Sequence, residues 1–153
     1  MLPNTSQRVP EQTDEEINRQ IEEEIRNNVA LYAGCDSEAI ERRLRELDEE
    51  WDIERTLEFN AAALATTAIL FGLIGKKRWL LLAGTVTGFL AQHALQGWCP
   101  PVPLFRRLGF RTEREIDRER YALKALRGDF KDLQRDGEST SLDQVDAVLA
   151  AVR

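Results

Sequence analysis

The sequence predicts an all-α protein: a two-helix transmembrane hairpin flanked by amphipathic cytoplasmic helices. Two observations carry that prediction. The first is segregation: from Phe59 to Trp98 the only charged residues are Lys76, Lys77 and Arg78. The second is periodicity: outside that block, apolar residues recur every three or four positions among charged ones, as on helices that bury one face. No strand alternation and no internal repeat is visible. The net charge of −6 and the 31% of charged residues suggest a soluble acidic protein only because they average over unlike parts. Residues 1–57 hold 7 basic and 16 acidic side chains, whereas residues 99–153 hold 11 and 10.

These numbers exclude some functions. An acidic N-terminal third argues against a nucleic-acid binder, which needs basic residues to displace counterions. Two cysteines, Cys35 and Cys99, make neither a disulfide framework nor a zinc knuckle. The opening MLPNTSQRVPEQTDEE lacks the charged and apolar regions of a secretory signal and is too acidic for a transit peptide. No cofactor motif is present.

Residues 1–12, with two prolines, read as a disordered lead-in. An acidic αα-hairpin is expected over 13–57. Thr13 and Glu16 have capping-box spacing, and Ile17, Ile21, Ile25 and Val29 form a stripe. Gly34 suits the end of this helix. Asp36 or Ser37 suits the next cap, followed by a stripe of Ile40, Leu44, Leu47 and Trp51 that can face the first. No Pro or Gly interrupts 38–71, so the second helix is expected to continue into the apolar block.

The hairpin proper covers 58–98. Its halves, FNAAALATTAILFGLIG (59–75) and WLLLAGTVTGFLAQHALQGW (79–98), rise about 26 and 30 Å as helices, close to one bilayer core each. Trp79 and Trp98 bracket the second half as interfacial aromatics. Ala61, Ala65, Ala68 and Gly72 on one half, and Gly84 and Gly88 on the other, are small-residue faces for close helix contact within a chain or between chains. Gln92, His93 and Gln96 are the polar group at the end of the second half, where a His93–Gln96 hydrogen bond is within reach.

Residues 99–111 read as a Pro-rich extended exit at the membrane interface, with Arg106 and Arg107 reaching for lipid phosphates. Amphipathic helices follow over 112–153. Thr112 and Glu115 form a second capping box before Ile116, Leu123, Leu126, Phe130 and Leu133, with a break possible at Gly128. Residues 134–140 read as a linker, and a last short helix is expected from Ser141. Nine arginines on the flanks, against three cations in the turn, place both termini in the cytoplasm.

The stretch RWLLLAGTVTGFLAQHALQGWCPPVPLFRRLGFRT (78–112), above all GWCPPVPLFRRLGFRT, resembles the YgaP-like inner-membrane domain family. EIDRERYALKALRGDF (115–130) resembles a tail of its proteobacterial members. The resemblance implies a bacterial inner-membrane hairpin that pairs as a homodimer, in a family where some members accompany sulfur chemistry and most have no assigned activity.

The candidate reactive thiol is Cys99, next to two arginines whose charge would favour a thiolate able to carry persulfide or sense oxidation. Its sequel PPVPLFR has the wrong spacing and too few N–H donors for an anion-cradling loop. Cys35 is a weaker relay member. His93 and Cys99, near the same end of the hairpin, fall short of a metal set in one chain, and no catalytic constellation is present. The expectation is a homodimeric structural or interaction module without enzymatic activity. Its partners are the bilayer, a second copy and a protein bound through 13–57 or 112–133. The alternative is a sulfur or redox relay through Cys99.

Overall fold

The computed structural model describes Asn4 and residues 6–131, and every regular element among them is a helix. In order these are α1 (Arg8–Glu11), α2 (Glu15–Tyr32), α3 (Ser37–Glu49), α4 (Ile53–Ile74), α5 (Arg78–Gln96), α6 (Val102–Arg107) and α7 (Glu113–Arg127). The linker expected at 134–140, the helix expected from Ser141 and Leu133 lie outside the described residues. The chain divides into two compact units. The first takes the segment ending at Glu23 and Trp51–Glu115; the second takes Glu24–Glu50 and the segment beginning at Ile116.

In the first unit, α4 starts where Asp52 accepts a hydrogen bond from the Arg55 amide at 2.6 Å. This N-cap and the extended backbone at Glu50 separate α3 from α4, so the uninterrupted helix expected through 38–71 does not form. Helix α4 packs against α5 across the short link Gly75–Lys77. The core beside them joins Val9, Ile53, Leu57, Cys99 and Val102; Phe105 and Phe110 pack on it, their own rings edge to face at 5.3 Å. Val9 is only 1% exposed, so α1 is a docked helical turn rather than the disordered lead-in expected there. Arg8–Glu11 is too short to be stable by itself; burial of Val9 among residues more than forty positions away holds it.

The Pro-rich exit is likewise not extended. Pro101 is the N-cap of α6 and Pro103 its second residue, where a missing N–H costs nothing. The Thr112–Glu115 capping box forms as expected: the Thr112 amide donates to Glu115 at 2.7 Å, and the Glu115 amide to the Thr112 hydroxyl at 3.3 Å. The Thr13–Glu16 box does not. Asp14 accepts from the Glu16 amide, while the Thr13 hydroxyl turns back to the Val9 carbonyl.

In the second unit, Ile40, Leu44 and Leu47 of α3 pack with Ile116 and Leu123 of α7, and Tyr32 adjoins them. Trp51 does not continue this stripe. It is exposed, lies edge-on to Phe59 and sits under the Arg55 guanidinium at 4.5 Å. Glu119 is fully buried and accepts from Arg43 Nε at 2.8 Å and Asn28 at 3.3 Å. Gly128, at φ +93°, lies just past the end of α7, where the sequence allowed a break. Gly34 has no such backbone. Leu123→Ala is expected to cost this unit about 2–5 kcal/mol, the penalty of a cavity at a fully buried leucine. Denaturation followed by circular dichroism checks it; an unchanged midpoint would show that this cluster does not hold α3 to α7.

Candidate functional site

The α4–α5 pair and the elements at its charged end gather the residues singled out by the sequence. Along α4, Ala65, Ala68 and Gly72 are buried and Ala61 is half-buried. Of these, Gly72 lies against Leu80 of α5. A Cβ on Gly72 would lie 2.6 Å from Leu80 Cδ2, so the helices approach as closely as the small side chains permit. Phe71 and Trp79 pack across the turn with ring centroids 5.4 Å apart.

Gly84 and Gly88 behave differently. Both are exposed, and a Cβ at either would meet nothing within 4 Å. The small face of α5 is therefore not the one that packs on α4; the buried small residue of α5 is Ala83. The sequence put the two small faces in one group, and the structure separates them.

Outside that contact the pair is apolar and open. Leu64, Ile69, Leu70, Leu73 and Ile74 of α4, and Leu80, Leu81, Phe89 and Leu95 of α5, are exposed large hydrophobics. Four of its polar side chains, Asn60, Thr67, Thr85 and Thr87, bond to their own helix. Asn60 donates to the Thr56 carbonyl at 2.7 Å, Thr67 to Ala63 at 2.8 Å and Thr85 to Leu81 at 2.9 Å. One helical stretch, that ending at Ile74, is long and apolar enough to cross a membrane among the described residues. Helix α5 does not reach that mark, because Gln92, His93 and Gln96 crowd its last turns.

His93 is 4% exposed, and neither ring nitrogen has a hydrogen-bond partner among the described residues. The expected bond to Gln96 is absent, and Gln96 is exposed. Gln92 and Trp98 are half-buried, and Trp79 is exposed. Among the described residues no three His, Cys, Asp or Glu side chains gather in a metal-binding group.

Cys99 is 4% exposed, inside the core with Val9, Ile53, Leu57 and Val102. Burial pushes its thiol above the ordinary value, against a smaller opposing pull from the Val102 amide. The sequence expected neighbouring arginines to do the reverse. Arg107 is exposed, and Arg106 points elsewhere. Cys99 also borders an apolar groove of about 440 Å³ lined by Leu64, Val86, Phe89 and Phe105.

Arg106 is the clearest departure from expectation. It is 1% exposed and reaches no interface. Its two terminal nitrogens each donate to Glu115 at 2.7 Å, one also to the Phe110 carbonyl and the other to Asn18 Oδ1, both at 3.0 Å. The turn of α6 aims Arg106 inward, and a bidentate carboxylate makes its burial tolerable. The partners lie nine residues ahead and 88 behind, so no local spacing marks them. Burial alone would raise the Glu115 carboxyl, but the Arg106 guanidinium and the Thr112 amide hold it below its ordinary value.

The chain matches no family model, no curated protein and no solved structure.

Proposed function

We propose that the chain is an integral membrane protein whose α4–α5 pair forms a two-helix transmembrane hairpin, and that it acts as a homodimeric structural or interaction module rather than as an enzyme. The observation that carries this reading is the outward face of α4. Only 22% of the apolar stretch that could cross a membrane is buried within the chain. The core helix of a soluble protein hides most of such a stretch, whereas a bilayer covers it without help from the protein. Hydroxyl and amide groups that bond back to their own helix fit the same surroundings, where no water satisfies them. The resemblance of 78–112 and 115–130 to the YgaP-like family adds an inner-membrane location and pairing of hairpins.

The topology proposed is that with both termini in the cytoplasm. Its charge count is thinner than the sequence suggests, since Arg106 and Arg111 are buried and Arg42 and Arg45 pair with Glu38 and Glu41. Cys35 is exposed and serves as a direct reporter. An impermeant maleimide should label it only after spheroplasts are lysed, and carbonate washing should leave the chain in the membrane pellet. Release by carbonate would end the membrane reading; labelling of intact spheroplasts would reverse the topology.

Dimer contact is assigned to Gly84 and Gly88, the small face that nothing among the described residues covers. Close backbone approach is what drives helix pairing in lipid, and only small residues allow it. The double variant Gly84→Leu/Gly88→Leu is expected to sediment as a monomer in detergent where the wild type is a dimer. A dimer that survives both changes would place the contact elsewhere. The thiol relay has no structural observation in its favour, because Cys99 sits in apolar surroundings that disfavour a thiolate.

A further inference from the structure

A cavity of about 420 Å³ lies in the first unit, beside the start of α4. Its lining is more polar than that of the groove at Cys99, and its charges are mixed. Arg8 and Arg114 bring two cations, and Asp52, Glu54 and Glu113 bring three anions. They do not neutralise one another at hydrogen-bonding distance. Arg8 and Glu54 stand 3.7 Å apart, and Arg8 Nε and Glu54 Oε2 have no hydrogen-bond partner among the described residues. Burial pushes the Glu54 carboxyl above its ordinary value, the sign of a carboxylate whose compensation is incomplete. Asp52 is committed to capping α4, and Arg114 has one nitrogen on the Ser6 hydroxyl at 3.0 Å.

The lining selects by sign. A simple anion meets three carboxylates, and a simple cation meets two guanidiniums. A molecule that carries both charges a few ångströms apart avoids both penalties. Arginine forks match phosphate oxygens, while carboxylates accept from a primary ammonium. The volume falls in the range of roughly 300–1,000 Å³ that small-molecule sites occupy. We propose that this cavity binds a phosphorylated primary amine, with the phosphate on Arg8, Arg114 and Ser6 and the ammonium on Glu54 and Glu113.

The place of the cavity names a source. Arg8 Nη1 donates to the Ala94 carbonyl in the last turn of α5 at 3.4 Å, and the Arg8 backbone abuts Gly97. The cavity is thus fixed to the end where α5 stops and α4 begins. On the membrane reading above, on which this step alone rests, that end is at headgroup level, and the molecule is the phosphoethanolamine headgroup of a lipid. Free O-phosphoethanolamine presents the same chemistry from solution.

The full-length chain in maltoside micelles is titrated by calorimetry with O-phosphoethanolamine, inorganic phosphate, ethanolamine and phosphocholine. In parallel, its lipid adducts are read by native mass spectrometry from micelles containing equal phosphatidylethanolamine and phosphatidylglycerol. O-Phosphoethanolamine is expected to bind at least about tenfold more tightly than any of the other three solutes, the worth of one charge-assisted hydrogen bond. Arg114→Gln and Glu113→Gln, both at exposed positions outside the core, should each weaken it by a similar factor while helix content by circular dichroism stays constant. Equal binding of phosphate or ethanolamine, or variants that bind like the wild type, would overturn the assignment. Enrichment of phosphatidylethanolamine adducts, lost in both variants, supports the lipid source. Tight binding of the free compound without that enrichment supports the cavity and overturns the lipid source, whatever carbonate extraction shows of the membrane reading.

Discussion

Arg106→Leu is expected to destabilise the first unit by about 3–5 kcal/mol, because it strands a largely buried carboxylate rather than merely deleting a contact. Glu115 would keep the Thr112 amide and lose both guanidinium bonds; Asn18 and the Phe110 carbonyl would lose a donor each. Lysine is not a substitute, since one ammonium cannot fork to two oxygens and still reach Asn18. Replacing both members, Arg106→Leu with Glu115→Gln, should recover much of the loss, as removing a whole buried pair commonly does. Denaturation midpoints in detergent for the two single variants and the double one decide it. A single variant as stable as the wild type would show that the pair contributes nothing.

The same pair predicts a dependence on pH. The folded-state value of Glu115 is depressed, so its contribution is fully present above the ordinary value of 4.5. It fades as the pH falls below that and is lost once the pH passes beneath the folded value. The wild-type midpoint should therefore drop in this acid window more steeply than that of Glu115→Gln. Parallel acid profiles would contradict the sign.

Gly97→Ala has the second large expected effect. Gly97 has φ +75°, closes α5 by donating to the His93 carbonyl at 2.7 Å, and leaves no room for a methyl group, which would overlap the Arg8 carbonyl. Left-handed backbone in a residue with a side chain costs about 1–3 kcal/mol by itself. Gly109 separates that cost from the collision. It has φ +87° with open space around it, so Gly109→Ala should show the backbone cost alone. Proteolysis near α1 should rise in Gly97→Ala and not in Gly109→Ala. If both variants are cleaved alike, the Arg8–Gly97 contact does not hold α1 in place.

What was legible in the sequence was local. The Asp36 cap, the Thr112–Glu115 box, the stripe Ile40–Leu44–Leu47 and the end at Gly128 depend on residues within one or two turns, and each is found. Ala65, Ala68 and Gly72 of α4, spaced along one helix face, are buried. What was not legible depends on partners far along the chain. Val9 is helical because Ile53 and Val102 cover it. Cys99 is buried among apolar side chains that push its thiol above the ordinary value, where its neighbours in sequence suggested the reverse. Gly84 and Gly88 were visible as a motif, but the side of α5 that meets α4 is set by packing, which no spacing reveals. The Thr13–Glu16 box failed because Asp14, one position on, is the better placed acceptor.

Arg106 and Arg107 stand side by side, yet one is locked to a carboxylate and the other is exposed. They should drift through evolution at different rates. At 107, lysine, glutamine or serine is reachable by single steps with little loss. At 106 every single step crosses a deep valley, and only a paired exchange with residue 115 leads out. A stretch that looks like one basic patch is, for selection, one frozen letter beside one free one.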